Sequence, residues 1–237
     1  KRDKKNKKAI PEGAIATCDD LITALAGCTP YFTEINYDVS LPMGTDEITY
    51  MLKLASSAAP NDRLYPANYL IDWKLEHDGS EANGFLAYFN GNHYRYRDHR
   101  LQEFHMEEDS VPFLTRSGGV QANAQFVDLI PQTLSKELKK MTSSEEFSIS
   151  FTPDTLTGGE HRVALTAIQK INDEIGQRYM IIADRFSGKP LEIVKQYNPD
   201  RISEQTITAR FSYPEENTMK AVTDETALQN LYAEEFE

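Results

Sequence analysis

The chain has 237 residues, of which 25 are lysine or arginine and 37 are aspartate or glutamate, so its formal net charge is −12. This acidic balance argues against nucleic acid as a partner, because surfaces that bind nucleic acid are basic. A chain of this length buries roughly 70% or more of its unfolded surface when it folds as one domain, so it does not need a disulfide between its two cysteines for stability.

Residues 1–13 predict a disordered basic leader, because the first ten residues carry a net charge of +5 and the remainder −17. Such a tail is usually solvated; the more specific alternative is that it contacts anionic lipid headgroups. The chain begins without Met and has no apolar run near the ~18 residues of a transmembrane helix. We expect a protein that is not transmembrane, and the basic start without Met fits either a secreted or lipid-anchored protein whose signal sequence has been removed or a trimmed chain.

Residues Ala14–Gly27 predict a helix, since Leu21, Ile22 and Leu25 fall on one stripe. From Tyr31 to Leu41 apolar and polar residues alternate, which is typical of a half-buried strand. Further strands follow from residue 48 to 54 and from 69 to 75.

The segment Gly84–Arg97 predicts a β-hairpin around Asn90 and Gly91, residue types that tolerate the positive φ of a tight turn. Its first arm is apolar on both faces, which predicts a strand covered on both sides. A further strand is predicted at about Leu101–Met106.

Residues Val120–Met141 have helical spacing that Pro131 interrupts, which predicts two helices or one kinked helix. Strands resume from Phe147 to about residue 211, and a last helix is predicted over about Asp224–Phe236. The pattern predicts a mainly β (α+β) fold: one strongly curved antiparallel sheet or half-open barrel with an N-terminal helix and a central helical lid at about residues 120–141. Residues 14–237 are expected to form a single domain.

No nucleophile elbow, phosphate loop or dinucleotide fingerprint occurs, so we expect no catalytic residue, no cofactor and no enzyme activity. His93, His99 and His105 follow one another at a spacing of six residues. We expect them to be surface histidines and expect no metal ion; the alternative is a weak site with two ligands, in which His93 faces His105.

Cys18 and Cys28 would lie about 15 Å apart on a continuous helix, which is too far for a disulfide. They are therefore expected to be free thiols, unless the helix ends early and the chain folds back so that they can form a disulfide.

Aromatic residues on strand faces are the remaining clue. In a compact sandwich they form core, whereas in a strongly curved sheet they line an apolar cavity. The cavity hypothesis uses Tyr37, Tyr50, Trp73, Phe85, Phe89, Phe147, Phe151 and Tyr179.

The order of elements resembles the lipoprotein-carrier (LolA/LolB-like) fold, in which a helix precedes a half-open barrel and helices plug its mouth. The segment Tyr179–Ile193, with an Asp, a turn and Gly-x-Pro between two strands, is similar to the corresponding segment of these carriers. The resemblance implies a non-enzymatic extracytoplasmic domain that binds a lipid, an acyl chain or another apolar ligand, with the helix at Val120–Leu138 as a lid.

The sequence also resembles the N-terminal domain of Bacteroides-type TlpA-like thioredoxin-family proteins, over most of residues 14–236. The similar segments are Gly84–Arg97, Arg100–His105, Ala124–Pro131 and Asn198–Gln205. This resemblance implies as an alternative an interaction or dimerisation module before a redoxin domain, although no Cys-x-x-Cys is present. A hydrolase is the third alternative.

Overall fold

The computed structural model describes residues 12–44, 46–96, 104–108, 126–153, 161–216 and 226. Within these residues it contains helices α1 (Cys18–Ala26) and α2 (Pro131–Thr142) and short 3-10 helices at Pro42–Gly44 and Val127–Leu129. The strands are β1 (Tyr31–Ser40), β2 (Glu47–Ala58), β3 (Ala67–His77), β4 (Ser80–Phe89), β5 (Asn92–Tyr96), β6 (Phe104–Glu108), β7 (Phe147–Pro153), β8 (Arg162–Ile171), β9 (Glu174–Asp184), β10 (Pro190–Tyr197) and β11 (Gln205–Ser212).

All these strands belong to one antiparallel sheet with the order β6-β5-β4-β3-β2-β1-β11-β10-β9-β8-β7. Neighbouring strands are therefore consecutive in sequence except at the centre, where β1 pairs with β11 and places Tyr37 opposite Ala209. The prediction of a mainly β fold with one antiparallel sheet, an N-terminal helix and a central helix is confirmed.

The sheet curves around its helices. One buried cluster extends from Leu86 on β4 to Val163 on β8. Those eight strands span about 34 Å at the usual spacing of neighbouring strands. Two helices side by side cover only about 20 Å. Both ends of the cluster are closed to solvent, since Leu86 is 1% exposed and Val163 is 0% exposed.

The predicted hairpin forms between β4 and β5. Asn90 and Gly91 both have positive φ, 52° and 96°, as a tight hairpin turn requires. The first arm is buried on both faces, since Phe85 and Phe89 on one side and Tyr88 on the other are at most 1% exposed. Both expectations for this hairpin are confirmed.

Helix α1 begins at Cys18, later than the predicted Ala14. Thr17 caps it: the Thr17 hydroxyl accepts from the Asp20 backbone N–H, and the Asp20 carboxylate accepts from the Thr17 N–H. The residues before Thr17 are not helical. The Ile15 N–H instead donates a hydrogen bond to the carbonyl of Arg185, at 2.8 Å.

Pro131 begins α2 and does not kink a longer helix, so the kinked-helix alternative is wrong. Ile130 before it has an extended backbone, which separates the 3-10 helix from α2. This arrangement suits proline, whose missing N–H is unneeded at the first helical position. Residues 1–11 of the predicted leader, residues 120–125 of the central helices and, except for residue 226, the predicted last helix lie outside the described residues.

Helix α2 is fastened to α1. The Gln132 side-chain amide donates to the Cys28 carbonyl at 2.8 Å, and the Ser135 hydroxyl donates to the Ile22 carbonyl at 2.7 Å. Leu134 and Leu138 on α2 are fully buried between the helices and the sheet. The two helices therefore act as one layer on one face of the sheet.

Candidate ligand-binding face

The face of the sheet beneath α1 and α2, which we call the helix-covered face, carries most of the aromatic side chains. Strand residues alternate between faces, so members of one strand two positions apart share a face. Of the eight residues that the sequence proposes for a cavity, six pack with this cluster: Tyr37, Tyr50, Trp73, Phe147, Phe151 and Tyr179.

Phe85 and Phe89 lie on the opposite face of the sheet. They alternate along β4 with Leu86 and Tyr88, which belong to the helix-covered cluster, and they are buried at 1% exposure without joining it. The eight predicted cavity residues therefore lie on two different faces of the sheet. The sequence does not predict this division, because β4 is apolar on both sides and either side could be the one that the helices cover.

Phe126 occupies the centre of the aromatic group. Its ring lies edge-on to Tyr37 at a centroid distance of 5.2 Å and to Tyr50 at 5.1 Å. Tyr50 in turn contacts Trp73 at 6.3 Å. Edge-to-face pairs at such distances are favourable beyond the area they bury. The Phe126 side chain thus fills space that the aromatic strand residues surround.

Phe126 belongs to a short segment, Phe126–Ile130, that we call the plug segment. Its four apolar side chains are at most 2% exposed: Phe126, Val127, Leu129 and Ile130. The segment is held by a single 3-10 turn, and its N-terminal residue makes no side-chain cap. The plug segment therefore depends on burial against the sheet more than on helical hydrogen bonds.

Several polar atoms on the helix-covered face are buried without a hydrogen-bond partner among the described residues. They are the hydroxyls of Tyr69 and Tyr179 and the indole nitrogen of Trp73. A buried donor without a partner costs about 1–3 kcal/mol, and native structures contain few of them. These three donors therefore have no intramolecular partner among the described residues.

Beside Tyr179, a lysine points inward from the sheet. Lys195 lies directly opposite Tyr179 in the β9–β10 register and is 8% exposed. Its Nζ is 3.6 Å from Asp128 Oδ2 of the plug segment and 5.5 Å from the centre of the Tyr179 ring. The lysine therefore links the plug segment to the sheet.

The surroundings shift the pKa of each charged group in this cluster. Burial raises the pKa of the Asp128 carboxyl, and Lys195 only partly offsets it. Burial also raises the pKa of Glu137 on α2, to which Asp128 adds repulsion while Lys195 and Lys140 oppose it. Burial lowers the pKa of Lys195, but Glu137, Asp128 and Tyr197 more than compensate, so it is raised overall and the amine stays protonated.

These shifts predict a pH dependence of stability. A carboxyl whose pKa is raised by folding stabilises the folded protein at low pH, and this contribution is lost as the pH rises from the ordinary carboxyl pKa through the raised value. Asp128→Asn combined with Glu137→Gln removes that contribution. Urea unfolding is expected to show the variant gaining stability relative to the original protein as the pH rises through this interval.

Asp20→Asn is the control with the opposite sign. The backbone N–H groups of Ala16 and Thr17 and the Thr17 hydroxyl lower the pKa of Asp20. Asp20 therefore stabilises the fold above the ordinary carboxyl pKa and loses that effect as the pH falls through its own lowered value. A stability difference for Asp128→Asn/Glu137→Gln that does not change with pH would contradict the assignment.

Away from this face, one group of metal-ligand residue types occurs within the described ranges. His77 Nε2 lies 2.9 Å from Asp46 Oδ2 and 3.4 Å from Asp78 Oδ2, at the turns that end β3 and precede β2. The Asp78 side chain is 87% exposed, so this group of side chains lies on the solvated surface.

The other predicted candidates are placed as follows. The register of β5 and β6 sets His93 opposite Glu107 and His105 opposite Arg95, so the two histidines do not face each other; His99 lies outside the described residues. Cys18 and Cys28 are free thiols, and burial raises the pKa of both.

Sequence reasoning missed Phe126, Asp128 and Lys195. A signal for Lys195 is present, because the alternation of β10 places it on the same face as the buried Ile193. A charged residue at an inward position of a strand is uncommon and indicates a paired or functional group. Nothing in the local pattern distinguishes Phe126 from an ordinary helical core residue.

No protein-family model and no curated protein sequence matches this chain. Among solved structures, the chain is similar to a DUF1329 family protein from Desulfovibrio piger, with 12% identity and a TM-score of 0.39 over 90% of this chain and 98% of that one. It is similar to a putative outer membrane lipoprotein-sorting protein domain from Vibrio parahaemolyticus, with 11% identity and a TM-score of 0.37 over 90% and 96% of the two chains. A LolA superfamily protein from Nitrosomonas europaea is also similar, with 8% identity and a TM-score of 0.38 over 84% and 92%.

None of the helices in the described part of the chain has the length and apolar character needed to cross a bilayer.

Proposed function

We propose that this chain is a non-enzymatic, extracytoplasmic binding domain that holds an acyl chain or another apolar ligand on the helix-covered face. The observation that carries the proposal is the plug segment. A single short 3-10 turn places four buried apolar side chains against a face of aromatic residues, so an apolar ligand chain is a physical substitute for it.

The moving part in this proposal is the plug segment and not the whole predicted lid. Gln132 and Ser135 of α2 donate hydrogen bonds to backbone carbonyls in and just after α1. The apolar side chains of α2 are buried between the helix layer and the sheet. The plug segment lies before Pro131 and is separated from α2 by the extended residue Ile130. Rotation at Ile130 would withdraw Phe126 while leaving α2 in place, as hinges at the ends of elements do.

The energies of such an exchange balance for a common ligand size. Burial of an apolar side chain stabilises by about 1.5–3 kcal/mol, so the four side chains of the plug segment contribute about 6–12 kcal/mol. A buried methylene group contributes about 0.8 kcal/mol. A chain of roughly 8 to 15 buried methylene groups therefore offsets withdrawal of the plug segment, which is the length range of ordinary acyl chains.

The resemblance of the sequence to lipoprotein carriers supports the same ligand class and an extracytoplasmic location, either periplasmic or at the cell envelope. The buried Trp73, the only tryptophan of the chain, gives a direct test. We expect monopalmitoylglycerol, a neutral acyl ligand, to change the Trp73 fluorescence saturably below its micelle concentration. Native mass spectrometry should then show one ligand per protein. Absence of both signals would refute the proposal.

A control separates this face from the opposite side of the sheet. A depression of about 350 Å³ there is lined by Met51, Lys53 and Asn83 and also by Trp73, so a ligand bound in it would change the Trp73 fluorescence as well; Met51 is 53% exposed. Met51→Glu places a charge in that depression without touching the helix-covered face. The variant is expected to bind monopalmitoylglycerol as the original protein does, and lost binding would assign the ligand to the depression.

A further inference from the structure

Withdrawal of the plug segment has an electrostatic consequence as well as an apolar one. Asp128 leaves together with Phe126, because both belong to the same short segment. Lys195 then loses the carboxylate at 3.6 Å while its own position on β10 is unchanged. The open face would contain an inward-pointing ammonium group that has lost its ion-pair partner Asp128 and keeps only Glu137 of α2 as a nearby carboxylate.

Tyr179 on the neighbouring strand supplies a second donor, and the centre of its ring is 5.5 Å from Lys195 Nζ. It lies opposite Lys195 in the sheet, is 0% exposed, and its hydroxyl has no hydrogen-bond partner among the described residues. Burial holds the pKa of Tyr179 well above its ordinary value, so the hydroxyl keeps its proton. An ammonium and a hydroxyl that both donate, beside an apolar face, form a binding site for an oxyanion.

We propose that the ligand of this domain is an anionic amphiphile whose oxyanion headgroup binds Lys195 Nζ and the Tyr179 hydroxyl in place of Asp128. This inference rests on the proposed function and adds the chemistry of the headgroup. Asp128 is in this view an internal substitute for the headgroup, as Phe126 is for the acyl chain. Glu137 on α2 remains near Lys195 and limits the gain from the new ion pair.

Four ligands with the same hexadecyl framework test the proposal through Trp73 fluorescence and native mass spectrometry. They are palmitate, hexadecyl phosphate, hexadecanol and hexadecyltrimethylammonium, compared at a pH where palmitate is ionised. A hydrogen bond between charged groups is stronger than one between neutral groups, so palmitate or hexadecyl phosphate should bind about 10- to 100-fold more tightly than hexadecanol. The carboxylate and the phosphate arms distinguish the two kinds of oxyanion.

Variants identify the groups responsible. Lys195→Met is expected to abolish the difference in affinity between the preferred anion and hexadecanol. Asp128→Asn is expected to raise the affinity for the anion, because the internal competitor is removed, and it keeps the proposal testable if Lys195→Met fails to fold. Lys189→Met is the matched control, since Lys189 lies over the Tyr213 ring at 5.1 Å in the same way but outside this cluster.

The outcomes are distinct for the two proposals. Equal affinities for palmitate, hexadecyl phosphate and hexadecanol would overturn the headgroup inference and leave the apolar binding function standing. Tighter binding of hexadecyltrimethylammonium would overturn the headgroup inference too, by showing that Asp128 and Glu137 select a cation. Binding of none of the four ligands would overturn both proposals.

Discussion

Replacement of Phe126 by alanine is expected to lower the free energy of unfolding by about 3–5 kcal/mol and, at the same time, to raise the affinity for a neutral acyl ligand at least about tenfold. The loss follows from complete burial of the ring between Tyr37 and Tyr50. The gain follows because a weaker plug competes less with the ligand. Urea unfolding and titration with monopalmitoylglycerol, followed by Trp73 fluorescence, measure the two effects.

Phe85→Ala is the matched control for this prediction. Phe85 is the same residue type with the same burial, but it lies on the opposite face of the sheet. Its removal should cost a similar amount of stability, about 3–5 kcal/mol, without raising ligand affinity. If both variants bind the acyl ligand as weakly as the original protein, Phe126 is ordinary core and the plug segment does not open.

The second large effect is expected at Gly188, in the turn between β9 and β10. Its φ is +74°, and a Cβ at this position would lie 2.7 Å from Ala24 Cβ on α1. α1 cannot move away freely, because Leu21 and Leu25 on the same helix are fully buried. Gly188→Ala should therefore cost about 1–2 kcal/mol for the left-handed backbone and about 1–3 kcal/mol for overpacking, measured by urea unfolding.

Two further variants separate these contributions. Gly79 has nearly the same φ, +75°, but a Cβ at that position would meet nothing within 4 Å, so Gly79→Ala should show the backbone cost alone. Ala24→Gly removes the atom that Gly188→Ala would meet, so the double variant should show a favourable coupling energy in a double-mutant cycle. If Gly188→Ala and Gly79→Ala lower the free energy of unfolding equally, the turn at Gly188 adjusts without a clash and does not fix the position of α1.

The strands are predictable because period-two alternation depends on the residues themselves. β1 shows this best, with buried Ile35, Tyr37 and Val39 separated by more exposed polar residues. The start of α1 is less predictable, because the capping box at Thr17 competes with helix propensity in the residues before it. Pro131 indicates a break in the helical pattern, but its place as the first residue of α2 depends on the extended Ile130.

The candidate site is predictable only in part. Aromatic strand residues indicate an apolar face, and six of the eight lie on it, but the side of β4 that faces the helices depends on tertiary packing. Phe126 and Asp128 escape prediction because their importance comes from contacts with β1, β2 and β10, which are distant in sequence. The link to a thioredoxin-type partner domain stays a prediction.

The pairing of β1 with β11 has a consequence for how the chain acquires its structure. β1 is made long before β11, so one of its two edges stays open until residues near Phe211 arrive, since Ile35 pairs with Phe211. Contacts of such sequence separation slow folding, and an open strand edge invites association between chains. We therefore expect a polypeptide truncated before β11 to aggregate, and a nascent chain to need protection until β11 closes the middle of the sheet.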